Sequence, residues 1–207
     1  NNEFYLDYWC PSVYSRIEEL DVVFTSEEYG EAFSTYLGVE HVLVDKDRVK
    51  YPVSGTAIRN NPFTNWYFIP DVVKDYFTKR IAIVGPESTG KTVLTKKLAE
   101  YFGVDYVDEY GRTYYEALIT PERKMVLEDF YKIAIKHDDN LLDKHAGTTD
   151  KILFVDTEAI TTKVFGEMYV DGYEDERLDE IINVQWFDVY FLLDVDVPWV
   201  DDGTRDF

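Results

Sequence analysis

From Asp21 the chain alternates short apolar runs with polar turns. "DVVFTSEEYG" reads as a strand, "EAFSTYLG" as a helix closed by Gly38, and "EHVLVD" as a second strand. After "KDRVKYP", the segment "VSGTAIRNNP" reads as a loop and a helix start. "FTNWYFIPDVVKDYFTKR", punctuated by Pro62 and Pro70, reads as a connecting segment with short helical pieces, and a boundary is expected near Thr78. Beyond it the pattern becomes more regular. The strand "IAIVG" leads through a loop into the helix "KTVLTKKLAEYFG" with Gly103 as its stop, then comes the strand "VDYVD", and then a long helix from about Pro121. "KILFVD" is another strand, "TEAITTKVFGEMYV" and "ERLDEIINVQWF" are helical, and "DVYFLLD" is a last strand. Strands alternating with helices predict an α/β fold with a parallel sheet covered on both faces. The pattern shows no solenoid-period repeat and no low-complexity tract.

Composition adds limits. The chain has 207 residues, of which 45% are hydrophobic and 16% aromatic, enough apolar material for packed cores. A net charge of −20 repels nucleic acid and anionic membranes, and no basic patch offsets it, so neither is expected as a partner. The single cysteine, Cys10, excludes an internal disulfide, and the sequence has neither a basic-then-apolar leader nor a long apolar run; a cytoplasmic setting is expected. His41, His137 and His145 are isolated and form no zinc spacing, and His137 and His145 are expected on the solvated side of the long helix. The first residues, "NNEFYLDYWC", lack an initiator Met, as though the chain were entered partway through a longer protein.

The strongest chemical signal is "GPESTGKT", residues 85 to 92, which fits G-x-x-x-x-G-K-[ST] between an expected strand and an expected helix. Gly85, Pro86, Glu87, Ser88, Thr89 and Gly90 would form a backbone cradle for phosphate oxygens. Lys91 would reach the β and γ phosphates, and Thr92 would ligate Mg²⁺. ATP and Mg²⁺ are the implied cofactors. Asp156, ending the strand in "KILFVDTEAI", is a candidate metal carboxylate of the Walker B type, or alternatively a cap for the next helix. Asp108 and Glu109 end another strand, and either would serve as general base toward an acceptor hydroxyl. Arg112 and Arg205, the latter in the Gly-containing loop "WVDDGTRDF", are cations suited to a transferring phosphoryl group, with Arg205 on a closing lid. No N-K-x-D is present to select guanine, and no repeated charged coupling motif points to a motor ATPase, so a small phosphotransferase remains.

A second motif, "VSGTAIR", would bind phosphate through Ser54, Gly55, Thr56 and Arg59, or simply cap a helix. The two motifs together, with "DEYGR", "FVDTEAITT" and "PWVDDGTR" in order, resemble the NadR-type bifunctional proteins, which join a nicotinamide-mononucleotide adenylyltransferase to a ribosylnicotinamide kinase. That resemblance implies the C-terminal part of a Rossmann-like nucleotidyltransferase domain over residues 1–66, a linker over 67–79, and a P-loop kinase domain over 80–207. It implies ATP-dependent phosphorylation of nicotinamide riboside to nicotinamide mononucleotide, with both as small-molecule ligands. Glu109, Tyr110 and Arg112 would line the riboside side, and Tyr110, Tyr114 and Tyr131 are candidates to stack on nicotinamide, since Asp108 stands where some relatives carry an aromatic residue. Lys91, Glu109, Asp108 and Arg205 would be the catalytic set. The family's H-x-G-H motif does not occur in the sequence, so adenylyl transfer is expected only from a longer parent, and the lid motif ends close to Phe207, where the family continues. An unpaired sheet edge there would favour a homo-oligomer. A kinase of another small metabolite or nucleoside, and a nucleotide-sensing module without turnover, stay open as alternatives.

Overall fold

The computed structural model describes residues 2–17, 19–118 and 123–196. The chain divides into two compact units, Asn1–Phe68 and Ile69–Phe207.

In the first unit, helix α1 (Asn2–Tyr14) precedes a β-α-β element: β1 (Val22–Thr25), α2 (Gly30–Leu37) and β2 (Glu40–Leu43). The two strands are parallel, with Val22 opposite Glu40 and Thr25 opposite Leu43. Gly38 ends α2 at φ 70°, a left-handed conformation that glycine adopts without the Cβ penalty. Helix α1, absent from the sequence expectation, packs its fully buried Cys10 into this unit, and the Tyr14 hydroxyl donates to the Leu37 carbonyl. A short helix α3 (Gly55–Asn60) completes the unit.

Residues 66–77 form three single turns of 3₁₀ helix, and Thr78 then anchors the chain by donating its hydroxyl to the Asp150 carbonyl at 2.6 Å. The second unit is built on β3 (Lys79–Val84), β4 (Tyr106–Val107), β5 (Ile152–Asp156) and β6 (Val189–Leu192). Their spatial order is β4-β5-β3-β6, and all are parallel. The helices are α4 (Lys91–Phe102), α5 (Tyr110–Leu118), α6 (Leu127–Ala146), α7 (Ala159–Tyr169) and α8 (Glu176–Val184). Among the described residues no helix is long and apolar enough to cross a membrane.

The period of two along β5 sorts its side chains between two layers. Phe154 joins Ile83 and Ala99 in the cluster that also contains Leu94 and Leu98 of α4. Its neighbours Leu153 and Val155 face the other way, into a cluster with Val107 and Leu141 of α6. A strand buried on both sides must be apolar throughout, which is why "KILFV" reads as an unbroken run. A third cluster, around Phe130, Ala159, Tyr173, Leu178 and Ile181, ties α6 to α7 and α8.

Two expectations are corrected. The long helix starts at Leu127 rather than near Pro121. Asp129, at the third helical position, accepts the Val126 N–H at 2.9 Å, and Arg123 and the Tyr114 hydroxyl each donate to the same carboxylate at 2.7 Å, which fixes the first turn there. His137 is not solvated: it is 4% exposed, on the same α6 stripe as Phe130, Ile133, Ala134 and Leu141.

Because Phe154 fills the α4 side of the sheet at 2% exposure, Phe154→Ala should cost about 3–5 kcal/mol. Urea unfolding should show this as a lower midpoint with an unchanged slope.

Candidate active site

Strand β3 runs straight into the 85–90 loop, and three positions of that loop have positive φ: Gly85 (146°), Ser88 (63°) and Gly90 (88°). Such a sequence of turns converges successive backbone amides on one concavity, the geometry of an anion nest. Glycine at position 85 is also a packing requirement, since a Cβ there would stand 2.9 Å from the Leu193 carbonyl oxygen. Helix α4 begins directly after the loop, at Lys91, so its N-terminal partial charge faces the same space. The Thr89 hydroxyl and the Lys91 ammonium both donate to the Pro86 carbonyl, at 2.8 and 2.9 Å, closing the loop on itself.

The neighbouring strand brings the acid. Ile83 of β3 is in register with Asp156 of β5, with no strand between them, so the loop and Asp156 open at the same, carboxyl, end of the sheet. Asp156 is 1% exposed, and among the described residues neither carboxylate oxygen has a hydrogen-bond partner. Burial pushes its pKa up, as does the Asp108 charge, while the Thr92 hydroxyl and the Lys91 and Lys96 ammoniums act in the opposite direction. The capping role considered for Asp156 belongs to Glu158, whose carboxylate accepts the Ile160 and Thr161 amides at 2.6 and 2.8 Å. Between these acids Thr157 holds φ 73°, a rare conformation for a β-branched residue.

A cavity of about 420 Å³ opens beside the loop. Glu87, Ser88, Gly90, Lys91, Thr92, Glu109 and Arg112 form its polar wall. Tyr115, Met125, Phe130, Ile133, Phe165 and Tyr169 form its apolar wall, and His137, Thr157 and Thr162 also line it, with Val93, Gly111 and Glu116. Glu109 is half-buried there, and its pKa is raised, first by burial and then by the Asp156 charge, against the pull of Lys91 and Arg112. Asp108 does not line the cavity: it is exposed and pairs with Lys96 at 3.2 Å, though its charge still acts on Asp156. His137 sits with Nε2 3.1 Å from the Asp156 carbonyl and 3.3 Å from that of Thr157, and burial lowers its pKa to about 4, so the ring is neutral.

The three tyrosines named from the sequence are not on this wall. Tyr114 is buried against Asp129, Tyr131 packs against the Arg177 guanidinium at 4.1 Å, and Tyr110 opens α5 beside Tyr114. The wall rings are instead those of Tyr115, Phe130, Phe165 and Tyr169, which the sequence reading did not single out. Ser54 caps α3 by accepting the Ala57 N–H at 3.0 Å, while Arg59 reaches back to the Thr56 hydroxyl at 3.3 Å. Gly55 begins that helix, in the first unit. Arg205 lies outside the described residues. Among the described residues no group of three or more His, Cys, Asp or Glu side chains is placed to hold a metal.

A glycine-rich loop between a buried parallel strand and a helix, with a buried carboxylate ending the adjacent strand, defines a P-loop nucleotide-binding domain. The chain belongs to the AAA domain family AAA_28, whose model matches residues 80–207. It is 36% identical over 205 residues to the trifunctional NAD biosynthesis/regulator protein NadR of Salmonella typhimurium LT2, covering 96% of this chain and 50% of that protein. It is 38% identical over 187 residues to the NadR protein of Escherichia coli K12, covering 89% of this chain and 45% of that one. The chain thus spans about half the length of these curated relatives. A crystal structure of a NadR protein in complex with NR matches with TM-score 0.72 and 25% identity, over 96% of this chain and 60% of that one. Another, of NadR in complex with NAD and AMP-PNP, has the same fold, with TM-score 0.67 at 24% identity over 90% of this chain and 57% of that one.

The raised pKa of Glu109 has a consequence for stability. A carboxyl raised by folding favours the native state fully below its unfolded value, near the ordinary 4.5, and that contribution is lost as pH rises through the higher folded value. Glu109→Gln should therefore gain melting temperature relative to the parent chain as pH rises from 4.5 toward 8, and little below it. A constant difference across that range would remove the electrostatic explanation.

Proposed function

We propose that the second unit, over residues 80–207, phosphorylates nicotinamide riboside at its 5′-hydroxyl with ATP, giving nicotinamide mononucleotide and ADP. Residues 1–66 would be the C-terminal part of a nucleotidyltransferase domain, joined through 67–79, and a longer parent would adenylylate the mononucleotide to NAD. The observation that carries this reading is the cavity itself. It is continuous from the phosphate loop to an aromatic wall, and so holds a phosphate donor and a flat-ringed acceptor side by side. NadR relatives, one of them in complex with NR, support the choice of acceptor.

In this mechanism the loop amides and Lys91 hold the β and γ phosphates, Lys91 exchanging its Pro86 carbonyl for a phosphate oxygen. The buried, unpartnered Asp156 carboxylate beside the Thr92 hydroxyl fits a hard divalent cation that completes its shell with phosphate oxygens and water. Magnesium bound there would draw charge from the phosphates. Glu109, on the cavity wall with a pKa raised by burial, is the better base of the strand-end pair, because Asp108 is engaged by Lys96. The 5′-oxygen forms a bond to the γ phosphorus, the bond from that phosphorus to the β–γ bridging oxygen breaks, and the hydroxyl proton passes to Glu109. Arg112 lines the same wall and would balance charge on the phosphoryl oxygens.

Incubated with nicotinamide riboside and Mg-ATP, the chain should form nicotinamide mononucleotide. Lys91→Ala and Glu109→Gln should each lower turnover by about 10²-fold or more, and Asp108→Asn by less than about fivefold. Phosphorylation of other nucleosides with none of nicotinamide riboside would refute the assignment.

A further inference from the structure

Four buried polar atoms at the cavity end of β5 have no hydrogen-bond partner among the described residues: both oxygens of Asp156, Oγ1 of Thr157 and Nδ1 of His137. The first two belong with the metal and phosphates. His137 is different, because a histidine on the apolar stripe of α6 could have been satisfied wholly within the core. Instead one edge of its ring is fixed and the other left over. Two backbone carbonyls, of Asp156 and Thr157, lie within hydrogen-bond reach of Nε2, so Nε2 carries the proton and donates. Nδ1 of the neutral ring then holds a lone pair. His137 is 4% exposed, lines the cavity, and does not reach the Thr157 hydroxyl, which is also unpaired. A buried acceptor left unpaired is destabilising and marks a place where a ligand group closes the bond.

We propose that His137 is a specificity-determining residue: its Nδ1 accepts a hydrogen bond from a ribosyl hydroxyl of the phosphate-accepting substrate. This rests on the kinase reading above. The ribose is favoured over the base because His137 is bonded to the backbone of Asp156 itself, at the carboxyl end of the sheet where the phosphate must be transferred. The 5′-hydroxyl has to reach that end, and the 2′- and 3′-hydroxyls ride on the same five-membered ring. The nicotinamide ring instead has the aromatic wall of Tyr115, Phe130, Phe165 and Tyr169 to occupy. Nδ1 is an acceptor only, so a hydroxyl satisfies it and a deoxy position does not.

The test compares nicotinamide riboside with its 2′-deoxy and 3′-deoxy analogues, and with nicotinic acid riboside, by kcat/KM and by calorimetric Kd, in the parent chain, His137→Phe and His137→Asn. The parent should prefer the riboside over one deoxy analogue by roughly tenfold or more. In H137F that preference should collapse toward unity, with the KM for ATP unchanged. H137N, whose amide oxygen can take the place of Nδ1, should recover part of it, and it also serves as the reference if H137F melts early. A preference that survives in both variants, with all substrates weakened equally, would mean that His137 is only structural. A collapse confined to the comparison with nicotinic acid riboside would place the bond at the carboxamide and overturn the ribosyl assignment. Should the parent act on a different nucleoside and not on nicotinamide riboside, the kinase assignment falls, while the same ratio on that nucleoside and its deoxy analogues still decides the role of His137.

Discussion

The candidate site of the second unit turns on a carboxylate that is buried with no hydrogen-bond partner among the described residues. Asp156 lies at the end of the most enclosed strand, and its charge is opposed by burial and by Asp108 and relieved by Thr92, Lys91 and Lys96 nearby. The sheet fixes its position: Phe154 and Val155 pack β5 into the layers on either side, and the register with β3 places the phosphate loop next to it. A core that was only slightly looser would let water in and let the side chain turn away. The fold supplies stability so that this one position can remain unsatisfied until a ligand arrives.

Glu158 and Thr157 show how neighbouring residues divide the work. Glu158 takes the exposed amides of α7, which leaves Asp156 free of that duty, and Thr157 absorbs the change of direction between them by adopting positive φ. The same economy appears at α6, where Asp129 starts the helix and holds Tyr114 and Arg123 together. His137, two turns further along, links that helix to the backbone at the end of β5. The cavity is thus walled by elements that are bonded to one another at their working ends.

Much of this was legible in the sequence. β3, β5 and β6 lie in apolar runs, and the loop, Lys91, Thr92 and Asp156 follow from spacing and from position at a strand end. What escaped was decided by three-dimensional neighbours. The start of α6 was missed because Pro121 looked like a first-turn residue, whereas the stronger signal was Asp129 reaching back to the Val126 amide. His137 was assigned to solvent by residue type, although its spacing from Phe130, Ile133, Ala134 and Leu141 already put it on the buried stripe. The choice between Asp108 and Glu109 could not be made from adjacency alone, since it depends on which one Lys96 engages. The aromatic wall was obscured for a related reason: Phe130, Phe165 and Tyr169 have the spacing of ordinary core residues, and they pack with the core as well as line the cavity.

The bond from Lys91 to the Pro86 carbonyl has a further meaning for how tightly a nucleotide can bind. A lysine waving in water would have to surrender the freedom of four methylenes and strip its hydration before touching a phosphate. Here the side chain is already 8% exposed and tethered to the loop it serves, so both costs were met when the chain folded. Arrival of phosphate is then an exchange of one oxygen for another at nearly fixed position. Affinity at this loop comes as much from what the empty state has already given up as from the contacts the filled state gains.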